Sequence, residues 1–310
     1  MSQDISTAAE RAGTYNLGAR PVARLGYGAM QLRRCAETPA EAEAVLRRAI
    51  ELGVDHVDTA EFYGDGFVNR TIGTVLRAAP EILVVTKIGA DPNPGGKFPV
   101  KPAQRPEQLR ASVEDNLRSL GVEQLAIVNL RRLDVGPGLA AEGDQIVDID
   151  DQLAVMTALR DEGKIGAIGL SAVDLAGLKR ALPAGIVCVQ NAYNLVGRRD
   201  EAMLDFCRDH GIAWVPFFPL GDARFPDWPQ IVEQPEVAEI AARMGVTPAQ
   251  IGLAWLLAHR PNILLIPGTA SRSHLEENIA SASIVFDDAT LAELDAVAAP
   301  ARPSTEGDNA

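Results

Sequence analysis

ILVVTK, residues 82–87, runs through apolar and β-branched side chains and stops at a lysine. A run this short and this β-branched reads as a buried strand, not a helix. Seven more runs of the same kind follow the chain: VARLGYG (22–28), HVDT (56–59), LAIVNL (125–130), IGAIGL (165–170), GIVCVQ (185–190), IAWVPF (212–217) and ILLIP (263–267). Longer amphipathic segments alternate with them. TPAEAEAVLRRAIELG (38–53) has helical spacing and a stop at Gly53; RPEQLRASVEDNLRSLG (105–121) has Pro106 near its start and Gly121 at its end. Eight strands, each followed by a helix or helical insert, predict an α/β fold, a single-domain (β/α)8 TIM barrel over residues 15–299. A doubly wound sheet is the competitor. Its dinucleotide fingerprint fails, because the one candidate, GYGAMQ (26–31), has Gln31 at the third glycine position. LDVGPGLAAEGDQIVD (133–148) reads as a long loop after the fourth strand. The polar ends, residues 1–14 and 300–310, read as flexible segments.

The chain has 310 residues, 47% of them hydrophobic, enough for a large core. Its formal charge of −13, with no Lys/Arg-rich run, argues against nucleic acid and anionic membrane as partners. Three cysteines without CxxC spacing and four dispersed histidines give no zinc site and no disulfide framework. The N-terminus lacks the apolar core of a signal peptide, and no run has the length of a membrane span. The expectation is a reduced, cytoplasmic protein with a small-molecule partner; the sequence is silent on oligomeric state.

Barrel chemistry sits at the C-terminal ends of the strands. Here those ends are polar: Asp58 with Tyr63 just beyond, Lys87, Asn129 to Arg131, Ser171, Gln190 with Asn191, Phe217 with Phe218, and Pro267 to Thr269. Taken singly, Asp58 would be a turn or cap residue, Tyr63 a wall residue and Lys87 a solvated lysine. Together they suit proton transfer to a carbonyl oxygen. A free tyrosine titrates near about 10, and a neighbouring ammonium favours the phenolate. Asp58 would hold Lys87, Lys87 would tune Tyr63, and Tyr63 would act as general acid, a role that contributes about 10²–10⁴-fold.

These residues resemble the aldo-keto reductase family, over nearly the whole chain from Tyr15 to Ala299. The pieces that carry the resemblance are LGYGAMQL (25–32), GVDHVDTAEFYG (53–64), VTKIG (85–89), IGAIGLS (165–171), VQNAYNL (189–195), PFFPLG (216–221), TPAQIGLAWLL (247–257) and IPGTASRSHLEENIAS (266–281). The resemblance implies the same barrel, an extended nicotinamide cofactor that is usually NADPH, and hydride transfer to an aldehyde or ketone, or the reverse. It puts the catalytic Asp, Tyr and Lys on Asp58, Tyr63 and Lys87. It puts the carboxamide-binding groups on Ser171 and Gln190, with Ala172 where asparagine is frequent, and the ring that stacks on the nicotinamide on Phe217. The adenosine-phosphate segment falls on Gly268 to Asn278, through Gly268, Thr269, Arg272, Glu277 and Asn278. A Ser/Thr-rich loop opening a helix independently suits an anion. Ser273 and Glu276 fit a capping box there. Arg272 could take a 2′-phosphate, which favours NADP over NAD.

One position departs from the pattern. The family's histidine at the end of the fourth strand is Arg131 here, in IVNLRRLD (127–134). Arginine's pKa exceeds about 12, so it gives hydrogen bonds and charge but no proton near neutrality. Asn129, two residues earlier, faces the same side. Arg131 would orient the substrate and select one with an anionic or phenolic oxygen beside the carbonyl, as in pyridoxal; similar NLR segments resemble pyridoxal reductases. Met30, Gln31, Phe62, Phe218, Phe225 and Trp228 are expected to line the pocket. His56 reads as a buried structural histidine and Cys188 as a core thiol. Two rivals remain: a Schiff-base lyase in which Lys87 attacks a carbonyl, and a non-catalytic NADPH-binding module.

Overall fold

Eight short runs close on themselves. The computed structural model describes residues 7–135, 139–223 and 228–297. The parallel strands are β1 (Tyr27–Gly28), β2 (His56–Asp58), β3 (Leu83–Ile88), β4 (Leu125–Arg131), β5 (Ile165–Ser171), β6 (Ile186–Gln190) and β7 (Ala213–Trp214), hydrogen-bonded in that order. An eighth extended segment, residues 263–266, joins the two edges. Trp214 pairs with Ile263 and Leu25 with Leu265, both parallel, and the Gly26 N–H donates to the Leu265 carbonyl at 2.8 Å. That closure is the (β/α)8 barrel the alternation predicts.

The helices follow the strands outward: α1 (Pro39–Glu51), α2 (Phe67–Leu76), α3 (Pro106–Leu120), α4 (Ile149–Asp161), α5 (Leu175–Ala181), α6 (Glu201–Asp209), α7 (Pro235–Met244), α8 (Pro248–His259), α9 (Arg272–Ala280) and α10 (Asp288–Asp295). Proline opens α1, α3, α7 and α8, where a missing N–H costs nothing. Gly121 and Gly245 close α3 and α7 at φ 69° and 70°. Among the described residues no single helix is long and apolar enough to cross a membrane.

Strand alternation sorts the core into two layers. Val84, Val128, Leu130, Ile168, Leu170 and Val189 face outward and pack with helix residues such as Leu109, Val113 and Met156. Leu83, Val85, Ile127, Cys188, Ala213, Val215, Leu264 and Ile266 fill the interior. The inward parity then continues upward, from Val85 to Lys87, from Ile127 to Asn129 and Arg131, from Cys188 to Gln190. The interior is apolar at its base and polar at the rim for this reason.

An antiparallel hairpin, Thr14–Leu17 with Arg20–Ala23, plugs the base with Leu17 and Val22. The run 22–28, expected as one strand, is therefore divided between this hairpin and β1. Residues 7–14, part of the segment expected to be flexible, pack on the barrel. Glu10–Ala12 form a 3₁₀ turn, Ala9 is fully buried, and its N–H donates to the Leu52 carbonyl at 3.0 Å. Three small alanines (8, 9 and 12) pack against the core, and they leave little hydrophobic signal in the sequence. Residues 1–6, the expected tail 300–310 and Phe225 lie outside the described residues. Among its described residues, the loop after β4 carries one 3₁₀ turn, Gly143–Gln145, before α4.

Candidate active site

β2 and β3 are neighbours, so Asp58 and Lys87 leave adjacent strand ends on the same face. Lys87 Nζ donates to Asp58 Oδ1 at 2.5 Å and to the Thr59 carbonyl at 3.0 Å, with all three residues buried. Burial pushes the ammonium towards losing its proton. The Asp58 carboxylate and then Tyr63 push the other way and win, so the Lys87 pKa lies above its ordinary value. Lys87 Nζ stands 5.3 Å from the centre of the half-buried Tyr63 ring. The three residues expected to work together are thus together. A Schiff-base nucleophile must be neutral; a lysine held as ammonium by a carboxylate is poorly suited to that rival role.

Tyr63 stands on a loop pinned from behind. Thr59 Oγ1 donates to Asn69 Oδ1 at 2.8 Å, and Asn69 Nδ2 donates to Glu61 Oε2 at 2.9 Å and Asn116 Oδ1 at 3.0 Å. Ser119 of α3 also donates to Glu61. Burial raises the Glu61 pKa, against these hydrogen bonds. No local pattern connects this loop to α3, because the links to Asn116 and Ser119 join residues 47 to 58 positions apart.

Arg131 ends β4, half-buried and facing the mouth. Burial lowers its pKa, and the Tyr63 charge partly offsets this. Among the described residues its guanidinium has no hydrogen bond and no ion pair. The next residue behaves oppositely: Arg132 is bound to Asp134, Gln152 and the Val147 carbonyl. Asn129 lies below, fully buried, accepting from Cys188 Sγ at 3.2 Å while its own amide nitrogen has no partner. It is part of the interior floor, not an exposed wall. Cys188 is the core thiol expected, its pKa pushed up to about 12 by burial. His56 is buried on Asp55.

On the far side, Gln190 donates to Asp58 Oδ2 at 2.8 Å, while its carbonyl oxygen is buried without a partner. With its nitrogen fixed, that oxygen is an acceptor in want of an N–H, which a carboxamide provides. Ser171 sits beside it in register. Phe217 is half-buried, its N–H bonded to the Asn191 carbonyl at 3.0 Å, and it meets Phe218 edge to face at 5.1 Å. Gly28 and Gly268 face each other: a Cβ on Gly28 would come within 2.4 Å of the Ile266 carbonyl, and one on Gly268 within 2.7 Å of the Gly28 carbonyl. α9 begins just beyond, with Arg272 exposed at its first position. These features fit an elongated nicotinamide cofactor.

Details of that loop differ from expectation. The cap of α9 is Ser271, not Ser273; its hydroxyl accepts weakly from the His274 N–H at 3.5 Å. Glu276 is engaged by Arg48 at 2.7 Å and takes no part in a capping box. Thr269 Oγ1 accepts from the Ser271 N–H at 3.0 Å, so that hydroxyl shapes the loop. Glu277 is exposed and Asn278 half-buried on α9. Met30, Gln31 and Phe62 are half-buried near the mouth, and Phe62 meets Tyr63 edge to face at 5.2 Å. Trp228 departs from its expected place. It is 2% exposed, wedged against Gly197 under the Arg199 guanidinium, and so supports the β6–α6 loop instead of lining an open pocket.

Residues 24–299 match the model of the aldo/keto reductase family. The chain belongs to the aldo/keto reductase family. Its similarity to individual members is extensive. It is 41% identical over 298 residues to the pyridoxine 4-dehydrogenase of Escherichia coli, covering 92% of this chain and 98% of that one. An uncharacterized oxidoreductase of Schizosaccharomyces pombe is 32% identical over 295 residues, 93% of this chain and 90% of its own. Among solved structures, an aldo-keto reductase from Klebsiella pneumoniae in complex with NADPH superimposes with a TM-score of 0.75 at 25% identity, covering 96% and 99% of the two chains. Membership makes this barrel an oxidoreductase acting on carbonyl groups or the corresponding alcohols.

Proposed function

We propose that the protein is an NADPH-dependent reductase of aldehydes and ketones that prefers aromatic aldehydes bearing an anionic or phenolic oxygen beside the carbonyl, pyridoxal being the model substrate. The arrangement that supports this is the buried Asp58–Lys87 pair beneath Tyr63, with the Arg131 guanidinium, unpaired among the described residues, across the same mouth. Gln190, Ser171, Phe217 and the loop from Gly268 through Thr269, Arg272, Glu277 and Asn278 would hold the cofactor, with Arg272 suited to a 2′-phosphate. NADPH, when bound, supplies the hydride equivalent. Tyr63 gives the proton to the carbonyl oxygen, and the Lys87 ammonium, fixed by Asp58 and the Thr59 carbonyl, stabilises the phenolate left behind. Arg131 holds the neighbouring oxygen and the developing oxyanion. The relatives support the reading, since one is a pyridoxine dehydrogenase and another binds NADPH. Buried, unpaired cysteines suit a reducing cytoplasm.

The test is NADPH oxidation with pyridoxal, benzaldehyde and a simple ketone. Tyr63→Phe is expected to lower kcat by about 10²–10⁴-fold while NADPH still quenches or shifts protein fluorescence with wild-type affinity. Arg131→Lys keeps the charge and loses the fork. It should weaken turnover of pyridoxal more than of benzaldehyde; equal losses would refute the selection. A wild-type protein that binds NADPH and turns over no carbonyl would be a binding module.

A further inference from the structure

Among the described residues the Arg131 guanidinium has no hydrogen bond and no ion pair, so its aim follows the backbone that carries it. Besides its ladder to β5, that backbone is held by one side chain. Gln104 is 1% exposed and lies in the short stretch between the Val100–Pro102 strand and α3. Its Nε2 donates to two carbonyls at once, Arg131 at 2.7 Å and Gly89 at 2.5 Å. Gly89 lies two residues beyond Lys87 at φ 98°, and a Cβ there would come within 2.5 Å of the Arg131 carbonyl. The β3 and β4 ends therefore approach as closely as backbone allows, and the Gln104 amide staples them. The staple is itself fixed. Gln152 Nε2 donates to Gln104 Oε1 at 3.0 Å and to its main-chain carbonyl at 2.7 Å, and Arg132 Nη1 donates to Gln152 Oε1 at 2.5 Å. Beyond the staple the chain turns through Leu133 at φ 63°, a conformation that a branched residue adopts only when its surroundings impose it.

We infer that Gln104 is a positioning residue for this enzyme: it sets the direction of Arg131 by bridging the ends of β3 and β4. Lys87 needs no such help, because Asp58 and the Thr59 carbonyl hold its ammonium directly. The inference deepens the proposed function and rests on Arg131 contributing to turnover. Nothing in the sequence KPAQRP marks Gln104, since its partners are main-chain carbonyls.

A double-mutant cycle tests it. Kinetics are measured for wild type, Gln104→Leu, Arg131→Gln and the double variant, on pyridoxal and on benzaldehyde, with NADPH affinity and circular dichroism in parallel. Gln104→Leu is expected to lower kcat about 10–100-fold at unchanged NADPH affinity, and the same change in the Arg131→Gln background to cost less than about twofold, because the group being aimed is gone. Losses that multiply would show a general structural role and overturn the inference, as would a Gln104→Leu enzyme with wild-type turnover. Gln104→Glu covers the case in which the leucine variant does not fold. A neutral carboxyl keeps one donor, whereas a carboxylate faces two carbonyl oxygens. Its kcat should fall with rising pH relative to wild type, and this extra fall should vanish without Arg131; a fall that persists overturns the inference. Arg131→Gln alone separates the two ideas. If it leaves turnover intact on both aldehydes, the clamp has no target and fails. If it slows both equally, only the substrate preference fails.

Discussion

Ala172 carries strain that its neighbours in the chain do not. It sits at φ 50°, 3% exposed, between Ser171 and the β5–α5 loop. Its N–H donates to the Gln190 carbonyl at 3.1 Å and its carbonyl accepts from Asp134 and Val135, so the backbone cannot relax without disturbing three strand ends. An L-residue with a Cβ pays about 1–2 kcal/mol for this left-handed conformation, and asparagine pays least after glycine. On backbone grounds alone this position favours asparagine over alanine. Ala172→Asn is expected to stabilise the fold by about 0.5–1 kcal/mol and to tighten NADPH binding, since the new amide would stand beside Ser171 and Gln190. Chemical denaturation and a fluorescence titration read the two effects. An unchanged or lower midpoint would mean that the loop is relaxed around alanine.

Between single residues and the barrel stand the elements that hold the rim. Asn69, on α2, joins three of them through one amide. It accepts from Thr59, and it donates to Glu61 in the Tyr63 loop and to Asn116 on α3. Asn69→Leu removes donor and acceptor together and leaves buried partners unsatisfied, at about 1–3 kcal/mol. Because Glu61 lies two residues before Tyr63, kcat should fall with the melting temperature while NADPH affinity holds. Full kcat in a destabilised variant would show that the loop keeps its shape without the amide. This network also shows where sequence reading stops. Asp58, Lys87 and Arg131 could be placed at the rim from sequence because each ends an apolar run, and alternation fixes the direction of a residue two positions above a core side chain; Tyr63 follows in the loop just beyond Asp58. Asn69, Gln104 and Glu61 were not legible, because their roles depend on which helix or carbonyl lies opposite, and no local periodicity carries that. Trp228 was misplaced for a related reason. An aromatic in a Pro/Asp-rich loop looks like pocket wall until Gly197 and Arg199 are seen to enclose it. The cap of α9 shifted by two residues, since serines at 271 and 273 offer the same hydroxyl and only the backbone turn decides between them.

At the scale of the whole barrel, closure is the narrowest point. β4 and β5 pair over six residues, whereas the eighth segment meets its two neighbours through one bridge each. At this seam the backbones approach closely: a Cβ on Gly28 would stand 2.4 Å from the Ile266 carbonyl and 3.5 Å from the Gly268 nitrogen. The same contact sets the path of the chain into Gly268, Thr269 and α9, so barrel closure and the expected phosphate end of the cofactor groove share one joint. Gly28→Ala should therefore act twice. Overpacking at a backbone contact costs about 1–3 kcal/mol, and the displaced 266–269 segment should weaken NADPH binding more than it slows turnover at saturating cofactor. Gly163→Ala is the control, a glycine at φ 77° with open space around it, where backbone strain acts without collision. If Gly28→Ala and Gly163→Ala lose equal stability, and neither changes NADPH affinity, the seam is looser than its contacts imply and the cofactor groove is built independently of barrel closure.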